Sequence, residues 1–96
     1  MSELQIANPF KIIKQKLFDD GIAIGYIKPV NYDFVIFGRG NDTIDIRHSK
    51  DLGLKANYDY DIGALEKMFK MDDCYLFGGN KGVALTDLNF KRREFI

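Results

Sequence analysis

The sequence predicts a single α+β domain spanning residues 1–96, an antiparallel sheet with helices packed on one face. Two segments have apolar residues at helical spacing, and short apolar runs typical of strands lie around them. The strand connections are short, which favours pairing between consecutive strands. The predicted order is α-β-β-β-α-β-β. With 46% hydrophobic residues, a chain of this length can bury one modest core.

The first helix is predicted over about residues 9–19. Asn8 is a good N-cap, and Pro9 suits the first helical position because its missing N–H would have no partner there. Gly21 supplies the stop, since glycine readily adopts a positive φ. The apolar residues of this segment recur at helical spacing: Phe10, Ile13 and Leu17.

Three strands are predicted next, at residues 22–27, 32–37 and 43–48, and they form an antiparallel meander. The third alternates strictly, which is typical of a half-buried strand. One of its faces carries Ile44, Ile46 and His48, and the other carries Thr43, Asp45 and Arg47. Residues 49–60 are expected to be irregular.

A second helix is predicted to begin at a cap provided by Asp59 or Asp61. Its apolar stripe would comprise Ile62, Leu65, Met68 and Phe69. A hairpin follows, with strands at 74–77 and 83–86 joined by the glycine-rich loop 78–82. The tail, residues 88–96, is either a further strand or a fraying basic end.

The charge balance excludes strongly basic nucleic-acid-binding proteins and strongly acidic nucleic-acid mimics. Fourteen basic and fourteen acidic residues give a formal net charge of zero. The charges are segregated, because residues 40–80 hold eight acids and five bases. A single cysteine, Cys74, cannot form an internal disulfide, and the sequence shows neither a leader pattern nor a long apolar run. A cytoplasmic protein with no membrane partner is therefore expected.

His48 is the candidate for acid–base chemistry, because it is the only histidine. In an enzyme similar in action to small ribonuclease toxins, Arg47, Lys50 or Arg39 would stabilise phosphate charge beside it. The alternative is a structural role for His48 at the end of an apolar strand face. Since no glutamate or second histidine lies nearby in sequence, the structural role is favoured, and no catalytic residue is assigned.

No metal and no cofactor are predicted. His48 and Cys74 do not have zinc-ligand spacing, and the paired aspartates lie where aspartate caps turns. The glycine segments 38–41 and 78–82 place glycine beside a cation, as phosphate cradles do, but match no phosphate-binding motif. Hairpin turns explain them better. Nucleic-acid binding is not favoured, since residues 57–73 are acidic overall.

The segment Tyr58-Asp59-Tyr60-Asp61 is the candidate binding site. Tyrosine supplies a large amphipathic contact area, and aspartate steers a basic partner. The alternative is that Tyr58 and Tyr60 cover the core while the aspartates cap the helix. Both interpretations stay open.

These observations predict a small non-enzymatic interaction protein that binds and modulates or inhibits a larger macromolecule, most simply another protein. Phage inhibitors, antidefence proteins and immunity proteins are often of this size. Binding is expected through a sheet edge or the loop at 57–61, and edge pairing would also permit a homodimer. The alternatives are a small enzyme that processes nucleic acid or nucleotides with His48 as acid or base, and a non-catalytic binder of a nucleotide-like ligand at the glycine loops.

Overall fold

Seven strands in two antiparallel sheets make up the part of the chain that the computed structural model describes, residues 17–93. The first sheet has the order β1-β2-β3-β4 and the second has the order β5-β6-β7, so each is a meander of consecutive strands. The strands are β1 Ile24–Pro29, β2 Phe34–Arg39, β3 Ile44–His48, β4 Leu54–Tyr58, β5 Leu65–Lys70, β6 Tyr75–Gly79 and β7 Val83–Thr86. No described segment is a helix long and apolar enough to cross a membrane.

The predicted α+β class is wrong, because residues 17–93 contain strands and no helix. The first predicted helix, over 9–19, lies mostly outside the described residues, and its last three positions are not helical. The second predicted helix is replaced by strand β5.

A β-bulge explains why β5 has the sequence pattern of a helix. Leu65 pairs with Gly79 and Lys67 pairs with Gly78, so Glu66 is an extra residue on the β5 side. The bulge turns Leu65 and Met68, three positions apart, towards the same buried face. Apolar residues spaced by three therefore arise here without a helix. The predicted helix cap is a turn, in which Asp61 N donates to Asp59 Oδ1 at 2.8 Å.

The predicted irregular segment 49–60 contains the edge strand β4. Its pairing with β3 also includes a register shift, since Ile46 pairs with Ala56 while Arg47 pairs with Leu54. A bulge and a polar composition hide the period of two that identifies a strand.

The meander β1–β3 and the hairpin β6–β7 are confirmed, with strand ends displaced by one or two residues. The described part of the tail contributes a single bridge, between Thr86 and Arg92. Before that bridge, the chain inserts Phe90 into the core with φ of 67°. The Phe90 ring stacks on Tyr75 at 5.0 Å between ring centroids.

The inner faces of the two sheets and the segment between them share one core. Aromatic rings dominate its centre, where Tyr60 contacts Phe77 at 5.2 Å between centroids. The Tyr60 hydroxyl donates to the carbonyl of Phe90 at 2.5 Å, which satisfies a buried polar group. The buried members are Ile36, Ile44, Ile46, Tyr60, Ile62, Leu65, Met68, Tyr75, Phe77, Ala84 and Phe90.

The outer face of the first sheet carries a group of charged side chains, the ion cluster (Asp20, Arg39, Asp45 and Arg47). Arg39, Asp45 and Arg47 are buried, and Asp20 lies at the surface. Asp45 is 2% exposed, so β3 is buried on this face as well as on its apolar face. Its Oδ2 accepts a hydrogen bond from Arg39 Nη1. The same oxygen accepts two hydrogen bonds from Arg47, from Nε at 3.0 Å and from Nη2 at 2.9 Å. Its Oδ1 accepts from Asn57 Nδ2 at 2.6 Å. One carboxylate thus joins β2, β3 and β4.

The ion cluster also holds the residues that precede β1. Arg39 Nη2 donates to both carboxylate oxygens of Asp20, at 2.7 and 2.9 Å, and to the carbonyl of Ile22 at 2.9 Å. The Phe18 ring covers the Arg47 guanidinium, 3.7 Å from ring centroid to Cζ, and meets Phe37 edge to face. Residues 18–22 are therefore fixed across the outer face of the sheet.

Replacing Asp45 by alanine is expected to destabilise the protein by about 3–5 kcal/mol, because two buried guanidinium groups lose their carboxylate. Urea unfolding followed by circular dichroism measures the loss. The matched control is Asp72→Ala, which removes an exposed aspartate and is expected to change stability by less than about 0.5 kcal/mol. Equal losses in the two variants would contradict the role of the ion cluster.

The stability of the protein is expected to fall in acid through Asp45. Burial raises the pKa of this carboxyl, but hydrogen bonds from Asn57, Arg47 and Arg39 outweigh burial and hold the pKa below its ordinary value. A carboxyl whose pKa is depressed by folding stabilises fully above its unfolded pKa of about 4, and this stabilisation is lost as pH falls through the folded value.

The free energy of unfolding, measured from about pH 6 down to about pH 3, should therefore decline at the acid end. The Asp45→Asn variant should start lower and decline less steeply, since its amide does not titrate. An equally steep decline in both proteins would assign the acid sensitivity to other carboxyls.

Candidate functional site

The structure brings His48 and Lys50 to one cavity and places Arg47 elsewhere. The cavity has a volume of about 240 Å³. It lies where β3 ends and β2 begins, because His48 pairs with Phe34 across these strands. It is lined by Tyr32, Asp33, Phe34, His48, Ser49 and Lys50, and we call it the His48 cavity.

Hydrogen bonds between the two loops build the rim of the His48 cavity. Asn31 Oδ1 accepts from the backbone N–H of Asp33 and Phe34 at 2.7 and 3.0 Å, which closes the turn before β2. Ser49 N donates to the carbonyl of Asp33 at 2.8 Å, and Ser49 Oγ donates to the carbonyl of Tyr32. The loop before β2 and the turn after β3 are thereby held side by side.

His48 is half-buried and ends the apolar face of β3. Its ring lies 5.7 Å from that of Phe34, at an interplanar angle of 44°. Among the described residues, no carboxylate accepts a hydrogen bond from the His48 ring in the way that orients a catalytic imidazole. The cavity therefore offers His48 as a contact for a ligand more readily than as part of a catalytic pair.

Arg47 points to the opposite face of the sheet from His48, because adjacent residues of a strand alternate. Its guanidinium is engaged by Asp45 and by the carbonyl of Leu52, to which Nη1 donates at 3.0 Å. The three residues of the predicted catalytic alternative therefore do not converge. Only His48 and Lys50 share a site.

The segment Tyr58–Asp61 divides between core and surface. Tyr60 is buried, and burial raises the pKa of its hydroxyl. Tyr58 is half-buried and stacks on Tyr60, with centroids 5.5 Å apart. Asp59 and Asp61 are exposed. A partner at this loop would meet the two carboxylates and the edge of Tyr58, and it would not reach Tyr60.

The glycine segments serve as hairpin connections, as predicted. In the loop 78–82, Asn80 N donates to the carbonyl of Ala64 and Lys81 N donates to that of Ile62, at 3.1 and 2.9 Å. Gly79 permits this approach, since a Cβ there would lie 2.2 Å from the Ile62 carbonyl oxygen. These N–H groups are used within the fold, so they do not form a cradle for phosphate.

Within residues 17–93, no group of three or more histidine, cysteine, aspartate or glutamate side chains could hold a metal ion. Cys74 is buried, and its Sγ lies 3.8 Å from Met71 Sδ.

The outer face of the second sheet is an exposed apolar surface that the sequence reasoning missed. Phe69, Leu76 and Leu85 lie directly opposite one another across β5, β6 and β7. A second row of partners, Lys67, Gly78 and Val83, lies beside them on the same face. We call this surface the apolar face (Phe69, Leu76, Gly78, Val83 and Leu85).

Large side chains of the apolar face lie open to solvent. Phe69 is 54% exposed and Val83 is 51% exposed, while Leu76 and Leu85 are half-buried. The helical interpretation assigned Phe69 to a buried stripe, which concealed this surface. The available signal was the alternation of apolar residues in the predicted hairpin strands, which places Leu76 and Leu85 opposite the core side.

Comparison with known proteins gives no relative from which a function could be transferred: no family model, no curated protein and no solved structure matches this chain.

Proposed function

We propose that this protein is a small non-enzymatic interaction protein that binds and modulates a larger protein through the apolar face. The observation that carries the proposal is the in-register row Phe69–Leu76–Leu85 with Val83 in the adjacent row. Phe69 and Val83 are about half exposed, and Leu76 and Leu85 are half-buried. Single exposed apolar residues are common, but a contiguous row on a rigid sheet is a feature of interaction surfaces. An exposed aromatic ring in such a surface is typical of a binding hot spot, and Phe69 provides one on the edge strand β5.

Gly78 gives the apolar face a shallow indentation. It lies between Lys67 and Val83 in the second row and carries no side chain. A Cβ at this position would meet nothing described closer than the Lys67 carbonyl oxygen at 3.8 Å, an ordinary contact. Since glycine weakens a strand and the fold has room for a side chain here, the indentation is suited to a partner's side chain.

The charges around the apolar face specify the chemistry of the partner. Asp72 and Asp73 lie in the turn between β5 and β6, at the end nearer to Phe69. Asp73 pairs with Arg93 at 3.9 Å, so Asp72 is the carboxylate that a basic group of a partner would meet there. Lys81 lies in the turn between β6 and β7, at the opposite end, and Lys67 lies within the face. The surface that fits is therefore an apolar one with a basic group at one end and an acidic group at the other.

Other roles remain separate proposals. The protein would act as an inhibitor, like phage antidefence or immunity proteins, if its apolar face covers the active surface of the partner. A homodimer formed by edge pairing would use β1, β4, β5 or β7, which lie at the sheet edges. A cytoplasmic location is supported by the unpaired buried thiol of Cys74.

The enzyme alternative has one supporting observation, the shared position of His48 and Lys50 in the His48 cavity. Arg47 was predicted to stabilise phosphate charge beside them, but its guanidinium lies on the other face of the sheet, where it pairs with Asp45. The geometry therefore favours binding over catalysis.

Replacing Phe69 by alanine is expected to weaken partner binding about tenfold or more, because it truncates the most exposed aromatic contact of the apolar face. The partner is first captured from host cells on the tagged full chain and then purified, and its Kd is measured by calorimetry. The matched control is Tyr32→Ala, which removes an exposed aromatic ring outside the second sheet and should leave the Kd unchanged. Loss of affinity in Tyr32→Ala with none in Phe69→Ala would refute the assignment of the surface.

Replacing Gly78 by valine is expected to weaken the same complex while leaving the fold intact. Valine fills the indentation but suits a strand, so the melting temperature should stay the same or rise. The two readouts are the Kd for the purified partner and thermal unfolding of the free protein. An unchanged Kd would show that the indentation receives no partner side chain, and sedimentation of the protein alone would reveal whether a second copy occupies the face instead.

A further inference from the structure

Tyr32 is an exposed aromatic residue that lines two depressions. The side chain is 99% exposed, which is unusual for a residue of this size in the turn before a strand. One depression is the His48 cavity, of about 240 Å³. The other is an apolar cavity of about 310 Å³, lined by Pro29, Val30, Asn31 and Tyr32. Because Tyr32 lines both, a ligand that occupies either depression would lie beside this residue.

The backbone that carries Tyr32 is fixed before any ligand arrives. The Asn31 side chain caps the turn, Val30 N donates to the carbonyl of Phe34 at 3.0 Å, and Ser49 donates to the carbonyls of Tyr32 and Asp33. A backbone that is already fixed lowers the conformational entropy lost on binding. The turn therefore holds the backbone of Tyr32 in place, and the exposed ring is ordered by the ligand that stacks on it.

The two depressions differ in chemical character. Pro29 and Val30 give the apolar cavity a surface suited to a flat, uncharged ring. The His48 cavity is lined by three residues with ionisable side chains, His48, Lys50 and Asp33. A further cation lies close by, because Lys55 Nζ is 5.5 Å from the centroid of the Phe34 ring, and Phe34 also lines this cavity. Two lysines and one aspartate therefore lie on this side.

We propose that the two depressions form a single binding site for a nucleotide. The base stacks on Tyr32 over the apolar cavity, and the phosphate lies in the His48 cavity, near Lys50 and His48. Asp33 is placed to accept a hydrogen bond from a sugar hydroxyl. Stacking of a base on an exposed aromatic ring beside cations is the usual chemistry of single-strand binding. A free mononucleotide and an unpaired nucleotide of RNA share this chemistry.

This site is independent of the apolar face, since it is built by the loops of the first sheet. An inorganic anion would make no use of Tyr32 or of the apolar cavity. An acidic peptide would use the cations but would gain less from a flat stacking surface. The combination of ring, apolar floor and cations therefore favours a nucleotide over both.

The first experiment titrates the full chain, by calorimetry, with AMP, adenosine, inorganic phosphate and a single-stranded oligoadenylate. Saturable binding of AMP or of the oligonucleotide is expected, with adenosine weaker for lack of the phosphate and inorganic phosphate weaker for lack of the base. Tighter binding of the oligonucleotide than of AMP would identify single-stranded RNA as the source. Absence of saturable binding of both, or equal binding of AMP and inorganic phosphate, would overturn the proposal.

The second experiment repeats the AMP titration with variants. Tyr32→Ala is expected to weaken binding about tenfold, and Tyr32→Phe to retain it, because stacking needs the ring and not the hydroxyl. Because the ring is wholly exposed, the melting temperature of Tyr32→Ala should match that of the parent protein. Phe69→Ala, an exposed aromatic of the other sheet, is the matched control and should bind AMP normally.

Lys50→Gln tests the placement of the phosphate. It should weaken AMP binding several-fold and leave adenosine binding unchanged. The ratio of the Kd for adenosine to the Kd for AMP should therefore decrease. Unchanged AMP affinity in Tyr32→Ala would overturn the site. An acidic peptide that binds more tightly than AMP and depends on Tyr32 would overturn the choice of ligand. Binding of the protein partner is tested with Phe69→Ala, and nucleotide binding is tested with Tyr32→Ala. Failure of nucleotide binding therefore leaves the proposed function unaffected, and failure of partner binding leaves the nucleotide site unaffected.

Discussion

Two guanidinium groups can be buried on the outer face of the first sheet because one carboxylate meets both. Asp45 accepts from Arg39, Arg47 and Asn57, so every strand from β2 to β4 contributes a donor to the same acceptor. Removing solvent from these charges costs free energy, and only the complete set of partners offsets it. The cluster consequently specifies the register of three strands and the position of Asp20, which accepts two hydrogen bonds from Arg39 Nη2.

This constraint has consequences on the opposite face of the sheet. With the register fixed, Ile36, Ile44 and Ile46 all point inward, where they meet the second sheet. The same register brings His48 opposite Phe34 and so places the turn after β3 beside the loop that carries Tyr32. A charged cluster on one side of the sheet thereby shapes the candidate ligand site at its end.

The parts of the fold that depend on local periodicity could be predicted from the sequence. Strict alternation identified β3, and apolar runs around glycines identified the hairpin β6–β7. The predictions failed where a bulge interrupts the period of two, since the extra Glu66 gives Leu65 and Met68 the spacing of a helix. The ion cluster was not predicted either, because strict alternation in β3 indicates a half-buried strand with a solvated polar face. In the structure, residues 18–22 lie across that face and contact Arg39 and Arg47. The sequence singled out His48, which lines the His48 cavity, but did not single out Tyr32, since the exposure of Tyr32 depends on the Asn31 turn and on Ser49.

The net charge of zero conceals an uneven surface. Arg39, Arg47 and Asp45 are buried in the ion cluster, so their charges do not contribute to the recognition of a partner at the surface. Among the charges that remain exposed, Asp72 lies at one end of the apolar face, beside Asp73 and its partner Arg93, and Lys81 lies at the other end. A second copy stacked antiparallel on this face would match acidic ends with basic ends, as would a foreign partner of the same polarity. Self-association and partner binding would then compete for Phe69 and Val83, which makes the concentration of the free protein the variable that decides between them.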